Sequence, residues 1–468
     1  MSVAAPNQLQ ALCSALTDIE IITDPAQVTK LSLDFYHYSP VLSQQLSNKR
    51  GDLAVRPANE AEVIRVAAAC AQQRIPVTIR GAGTGNYGQC IPLAGGVILD
   101  MSKLNQVLWA KPGVARVQAG AKLMSIDKQI REMLVGSSGA GGWEIRMAPS
   151  TYRTATIGGF IAGGSGGIGS ITYGQLRDRG NVLGLRVVTL EEEPRIIELR
   201  GDEVFKVSHA WGLNGIITEV EIPLGPAYPW AELIVAFPSE VGFMPCAHFG
   251  QALADADGIL KKMISLHAWP IPSYFAPLRG SLPEGAAVAL LMIAECSVEP
   301  LMDLIREHGG QVVYQKTAQE ASKGIMLGEF SWNHTTLHCR SVDPGLTYLQ
   351  SVFPADRELK MVQHMYEHFG DEVLMHLEFI RVHGQARPVG LQIVRFTTEE
   401  RLNEIMRYHE DKGVFIANPH TFIIEDGGRK VMDPQQIRFK EEVDPYGLLN
   451  PGKMRTWIES GRPSPALA

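Results

Sequence analysis

The chain has 468 residues, of which 45% are hydrophobic and 20% charged, with a net charge of −7. That length exceeds what one core usually supports, so two domains are expected. Lys and Arg are scattered with no basic stripe interleaved with aromatics, which argues against a nucleic-acid partner. The N-terminus carries Asp18, Glu20 and Asp24 with no basic segment before an apolar core, so it does not read as a signal peptide. No apolar run reaches the ~18–20 residues of a membrane span. The six cysteines form no CxxC pair, which speaks against structural zinc and iron–sulfur sites and suits a reducing cytoplasm.

In chain order, Asn59 to Gln73 reads as a helix, with Val63, Val66, Ala67 and Cys70 on one face and Pro57 and Pro76 at its ends. Val77–Arg80 is β-prone and runs into a glycine-dense loop, Gly81 to Gly88. Val97–Asp100 and Ala115–Ala119 read as strands, and a second glycine-rich stretch spans Gly158 to Gly169. Val182–Leu190 and Ile216–Pro223 follow as strands. Pro223, Gly225, Pro226 and Pro229 mark a domain boundary. Beyond it, helices (Leu301–His308, Arg357–Phe369, Glu399–His409) alternate with strands (Leu233–Phe237, Ala286–Ala294, Gly390–Phe396), an α+β pattern. The tail after Ile458 is rich in Gly, Pro, Ser and Ala and is expected to be disordered.

Both glycine stretches contain a literal GxGxxG: Gly83-Thr-Gly85-Asn-Tyr-Gly88 and Gly164-Ser-Gly166-Gly-Ile-Gly169. A dinucleotide fingerprint needs a helix opening at the last glycine. Pro92, Gly95 and Gly96 prevent that after the first, and Gly174 and Gly180 weaken it after the second. A glycine turn can still cradle a phosphate through successive backbone N–H groups, because glycine reaches positive φ and lets the ligand approach closely.

Several motifs recur in a telling order: Arg56-Pro-Ala-Asn-Glu, Ile75 to Gly85, Gly95-Gly-Val-Ile-Leu-Asp100, Val117-Gln-Ala-Gly120 and Pro149-Ser150. Thr156-Ile-Gly-Gly159, Ser170-Ile-Thr-Tyr173-Gly174, Trp211 to Thr218 and Asp444 to Met454 complete the set. Residues 52–224 thereby resemble the PCMH-type FAD-binding domain of the vanillyl-alcohol oxidase / p-cresol methylhydroxylase family. The resemblance implies an α+β flavoprotein: an N-terminal segment 1–51, the FAD domain 52–224, a substrate or cap domain 225–440, and a return segment and tail 441–468. It also implies that Arg80, Gly81, Ala82, Gly83, Thr84, Gly85 and Asn86 cradle the FAD pyrophosphate. Pro149, Ser150, Thr156, Gly158 and Gly159 would line the adenosine and phosphate side. Gly163, Gly166, Gly167 and Tyr173 would lie under the isoalloxazine, and Ile217 at its pyrimidine edge. Asn450 and Lys453 would bring the chain end back to the flavin. Many members carry a flavin-bonding histidine where this chain has Thr84, so no covalent bond forms there.

In such proteins hydride passes from substrate carbon to flavin N5 while a protein base takes a proton. Histidine suits the base, and arginine suits an acidic substrate. Read as extended chain, His334, His338 and Arg340 share a parity and one face. In His376-Leu-Glu378-Phe-Ile-Arg381-Val-His383, alternation sets His376 with Glu378 and Arg381 with His383. Asn418-Pro-His420 reads as a turn before a strand, Thr421–Ile424. The expected order of candidates is His338, His334, then His420 and His383, with Arg340 orienting substrate.

Metal-dependent relatives carry a His-x-Gly-Asp-Gly-Asn-type segment. It is absent here and no metal is assigned, although His376-x-Glu378 has a spacing that can chelate. The expected function is a soluble, cytoplasmic FAD-dependent oxidoreductase that oxidises an alcohol, a 2-hydroxy acid being one candidate for its small-molecule substrate. An oxidase or hydroxylase of phenolic or aromatic alcohols is one alternative, and a non-catalytic flavin-binding subunit of a larger complex is another. Oxygen, a quinone or a carrier protein could reoxidise the flavin, and a homo-oligomer is compatible with the sequence.

Overall fold

The computed structural model describes residues 4–134, 142–429 and 432–467. Helix Glu60–Gln73 starts where the Asn59 side chain accepts the Glu62 N–H at 3.0 Å and stops at Arg74, whose φ is 54°. Its face of Val63, Val66, Ala67 and Cys70 packs on Leu53, Val55, Val77 and Val97. Those residues belong to a four-stranded sheet ordered Glu20–Ile22, Leu53–Arg56, Val97–Asp100, Val77–Arg80. The last three strands run parallel, and Glu20–Ile22 is antiparallel to Leu53–Arg56. A strand of the N-terminal segment thus completes this first sheet.

The second sheet runs Val107–Lys111, Val114–Gln118, Ile216–Pro226, Gly184–Val188, Ile196–Arg200, with Trp143–Ile145 pairing the far end of Ile216–Pro226. The proline-rich stretch is a short connection: one strand ends at Pro226 and the next starts at Trp230.

Trp230–Phe237, Ala287–Ala294 and Lys261–His267 lie inside an eight-stranded sheet that continues through His376–Val382, Gln385–Gly390, Ser351–Val352 and Phe415–Ile416. Leu233, Val235 and Phe237 join a core with the helices Met244–Asp255, Glu358–Phe369 and Glu399–Asp411, whereas Ile234 and Ala236 join another around Phe275, Leu327 and Phe330. The sheet is therefore buried on both faces, which is why Ala287–Ala294 is apolar without alternation.

The chain returns earlier than position 441. Helix Pro434–Val443 sends Phe439 and Val443 into the flavin-side core, and Leu190 N–H bonds Val443 O at 2.7 Å. Val77 N–H then bonds Leu448 O and Asn450 N–H bonds Val77 O, at 2.9 and 2.8 Å. The tail is held rather than loose: the Trp457 indole donates to Pro463 O at 2.9 Å, and Arg462 pairs with Glu441.

Three local expectations are corrected. Trp332–Arg340 is not extended: Asn333–Val342 is a helix, because Thr335, Thr336 and Cys339 are buried at helical spacing. Gly390–Phe396 is split, with one strand ending at Gly390 and another covering Ile393–Arg395. Thr421–Ile424 is not a strand. Among the described residues no helix is long and apolar enough to cross a membrane.

Candidate functional site

Two glycines, Gly81 in the loop after Val77–Arg80 and Gly158 in helix Ile157–Gly163, stand where a side chain would collide with its neighbours. A Cβ on Gly81 would overlap Thr156 Oγ1, and one on Gly158 would stand 2.8 Å from Ala119 Cβ. Gly83 has φ 67°, open to glycine at no steric cost. Facing this loop is a cavity of about 580 Å³. Gly81, Ala82, Gly83, Thr84, Gly85, Asn86, Pro149, Ser150, Thr156, Gly158, Gly159, Gly163, Gly166 and Ile217 all line it. Thr156 Oγ1 is buried there with no partner in the protein.

Five expected cofactor residues do not line the cavity. The Arg80 guanidinium folds back over Gly83 and donates to Ala82 O at 3.3 Å. Gly167 packs on Ala148 O, leaving no room for a Cβ, and its N–H bonds Ser170 Oγ at 2.9 Å. Tyr173 packs against Gly225, with the Arg146 guanidinium 5.1 Å from its ring. Asn450 donates to Gln89 O at 2.7 Å and Trp211 O at 2.6 Å. Lys453 Nζ bonds Gln89 O, Ile91 O and Asn450 Oδ1, each at 2.7 Å. These last two brace Gln89 and Trp211, which line the cavity, from behind.

The second half supplies Trp332, Asn333, Gln350, Ser351, Val352, Val389, Gly390, Leu391, Phe415 and Ala417. None of the five predicted catalytic residues is among them. His338 is partly buried, stacked on Phe330 with ring centroids 4.6 Å apart, and its Nε2 donates to Glu329 O at 3.0 Å. Burial lowers its pKa. His334 sits 3.3 Å from the Glu329 carboxylate, which also holds Arg153 at 2.8 Å. Arg340 donates to Leu346 O. His420 is buried between Ser39 Oγ at 2.8 Å and Tyr348 O at 2.9 Å, and burial pushes its pKa down to about 4. His383 lies exposed in a hairpin turn at φ 49°. Helical geometry keeps His334 and His338 on one face, but that face meets Glu329 and Phe330 instead of the cavity.

The cavity residues missed by sequence reasoning include Asn333, Tyr87, His209 and Trp332. Asn333 Oδ1 is buried without a protein partner. Tyr87 OH donates to Gln350 Oε1 at 2.6 Å and so joins the two halves across the cavity. His209, at φ 54°, lines the cavity from the flavin half, and Gly164 makes room for its ring. Trp332 sits at φ 51°, ψ −139°, a conformation costing ~1–3 kcal/mol for a bulky residue. Its N–H donates to the Glu378 carboxylate at 2.6 Å, a bond of about 1.5–3 kcal/mol, enough to offset that strain. An outlier of this kind has no signature in local sequence.

Residues 51–197 match the FAD binding domain family model. Glycolate oxidase subunit GlcD of Escherichia coli (strain K12) is 30% identical over 192 residues, 39% of this chain and 36% of that protein. D-lactate dehydrogenase of Archaeoglobus fulgidus is 29% identical over 205 residues, 42% of this chain and 43% of that protein. D-2-hydroxyglutarate dehydrogenase of Escherichia coli (strain K12) is 33% identical over 159 residues, 32% of this chain and 14% of that protein. The chain thus matches less than half the length of each of these relatives. Alkyldihydroxyacetonephosphate synthase shares the fold, with a TM-score of 0.70 at 17% identity, covering 96% of this chain and 85% of that one.

The molecule is a flavoprotein in fold and site. It carries a PCMH-type FAD-binding domain, and FAD is its cofactor. The residues fit that group: a glycine-rich loop, Gly81 to Asn86, lines the cavity, a Cβ on Gly81 would overlap Thr156 Oγ1, and that hydroxyl has no partner in the protein.

Proposed function

We propose that the protein is an FAD-dependent oxidoreductase acting on the CH–OH group of a hydroxy acid. The observation that carries this reading is a cap wall that closes the cavity opposite the glycine loop and includes Asn333, whose Oδ1 has no partner in the protein. When bound, FAD supplies the hydride acceptor. The amides of Gly81 to Gly85 and the Thr156 hydroxyl hold its pyrophosphate. Ile217 lines the same cavity and would help to hold the cofactor. Asn333 Oδ1 accepts a hydrogen bond from the substrate hydroxyl and so orients the carbon that gives up hydride, while His209, an imidazole that lines the cavity, is suited to take the hydroxyl proton. Val352, Val389, Leu391 and Phe415 exclude water around it. Arg177, exposed at the cavity edge, is the guanidinium suited to a substrate carboxylate. The named activities of the relatives, oxidation of glycolate, D-lactate and D-2-hydroxyglutarate, support the substrate class.

The same apolar lining, with Trp332, favours a second reading, oxidation of an apolar or aromatic alcohol. Anaerobic mixing with lactate, 2-hydroxyglutarate and 4-hydroxybenzyl alcohol separates the two. Bleaching of the flavin band by a hydroxy acid supports the first reading. Bleaching by the aromatic alcohol alone replaces it with the second, and bleaching by none of them defeats both.

A further inference from the structure

Behind the cap wall lies a polar cluster that substrate contact does not explain. Strands Lys261–His267 and His376–Val382 pair in a register that sets Ser265 opposite Glu378 and His267 opposite His376. Alternate residues of a strand share a face, so all four side chains meet, each at most 1% exposed. Groups this deeply buried must find partners, and the direction of each bond can be read from donor and acceptor types. Leu391 O can only accept, so His376 Nδ1 donates to it at 3.0 Å. Glu378 Oε1 receives the Ser265 hydroxyl at 2.7 Å and the Trp332 N–H at 2.6 Å, and His376 Nε2 lies 2.9 Å from it. His267 Nε2 donates to Ser265 Oγ at 2.9 Å, because that hydroxyl hydrogen is already spent on Glu378.

Two of these partners, Trp332 and Leu391, line the cofactor cavity. The Trp332 indole lies over Gly166, close enough that a Cβ there would stand 3.1 Å from the ring. Trp332 reaches that place only through its positive φ, which the Glu378 carboxylate holds by its N–H. Asn333, with its unpartnered oxygen, follows directly in the chain.

We propose that Glu378 and His376 are positioning residues for the flavin end of the cavity. Glu378 fixes Trp332 against Gly166, and Asn333 with it, while His376 fixes the carbonyl of Leu391. Neither residue touches the cavity. The proposal rests on the FAD cavity and is independent of which substrate is oxidised.

The test uses the FAD-loaded protein and reads the visible circular dichroism of bound flavin together with FAD content. Glu378→Met keeps the side-chain length and removes every acceptor. It should retain FAD but change the visible spectrum, and Trp332→Gly should change it in the same sense. In the Trp332→Gly background Glu378→Met should add nothing further, because glycine occupies positive φ without a carboxylate. Ser265→Ala leaves the Trp332 bond intact and should keep the wild-type spectrum. A Glu378→Met holoprotein with the wild-type spectrum overturns the proposal, as does a double variant showing the sum of the two single changes. Where Glu378→Met alone yields no folded holoprotein, Trp332→Gly must restore it, and failure to do so overturns the proposal equally.

Discussion

On the flavin side of the cavity the wall is rich in backbone: Gly81, Gly83, Gly85, Gly158 and Gly159 bring the main chain up to the cavity, with Thr84, Asn86, Ser150 and Thr156 as polar side chains among them. On the cap side the wall is side chain: Trp332, Asn333, Gln350, Leu391 and Phe415 reach in from a helix, short strands and their connections. A backbone wall recognises what every FAD shares and tolerates no added atoms. A side-chain wall can be rebuilt residue by residue, so specificity belongs there.

The sharpest break between the walls should come at Gly81. Its Cβ would overlap Thr156 Oγ1, and Thr156 is itself buried and β-branched, with little freedom to turn away. Gly81→Val should therefore abolish FAD binding, seen as loss of visible flavin absorbance per protein, while the cap, with its own buried sheet and helices, stays folded by far-ultraviolet circular dichroism. Full FAD content in this variant would mean that the loop is only a turn.

Acidification should act on the cap side instead. His420 ties Tyr348 O to Ser39 Oγ in its neutral form, and burial holds its pKa at about 4 against an ordinary 6.5. Between these values the unfolded chain binds more protons than the folded one, so stability falls as pH falls from about 6.5 to about 4. Its share reaches roughly 3 kcal/mol at the acid end. His420→Gln should flatten the corresponding slope of unfolding free energy against pH. An unchanged slope would place the acid sensitivity elsewhere.

The same contrast governs what could be read from the sequence. Glycine loops are legible because their reason is local: Gly83 must sit at positive φ, and Asn59 must cap the helix that follows it. Fourteen of the nineteen expected cofactor residues line the cavity. The cap defeated the same approach at His334, His338 and Arg340, where the parity followed was that of chemically interesting residues. The folding signal was the burial of Thr335, Thr336 and Cys339 at helical spacing. What faces the cavity depends on pairings between distant strands, such as Ser265 with Glu378, 113 positions apart. No local periodicity reports those.

A milder test asks whether the cap wall meets substrate through Asn333. Asn333→Ala removes one acceptor and leaves every glycine in place. A single hydrogen bond contributes about 0.5–1.5 kcal/mol, so substrate-driven flavin reduction should weaken by up to about tenfold with FAD content unchanged. Wild-type reduction kinetics would remove Asn333 from the substrate's contacts and return attention to Gln350 and Ser351.

The smallest kinetic effect is expected at His338, the residue that sequence alone favoured as base. Its ring stacks on Phe330, edges against Phe275 at 5.7 Å and donates to Glu329 O, a set of contacts that uses the imidazole as a partly buried aromatic. Such a stack is worth about 0.5–1.5 kcal/mol and the hydrogen bond about 1 kcal/mol, so His338→Ala should lower the melting temperature measurably. Anaerobic reduction at saturating substrate should stay within about twofold of wild type, since the loss of a positioned base would cost roughly 10²-fold or more. A loss of that larger size would show that helix Asn333–Val342 turns a second residue toward the substrate. The boundary between a stabilising face and a reacting face would then run through His338 instead of ending at Asn333.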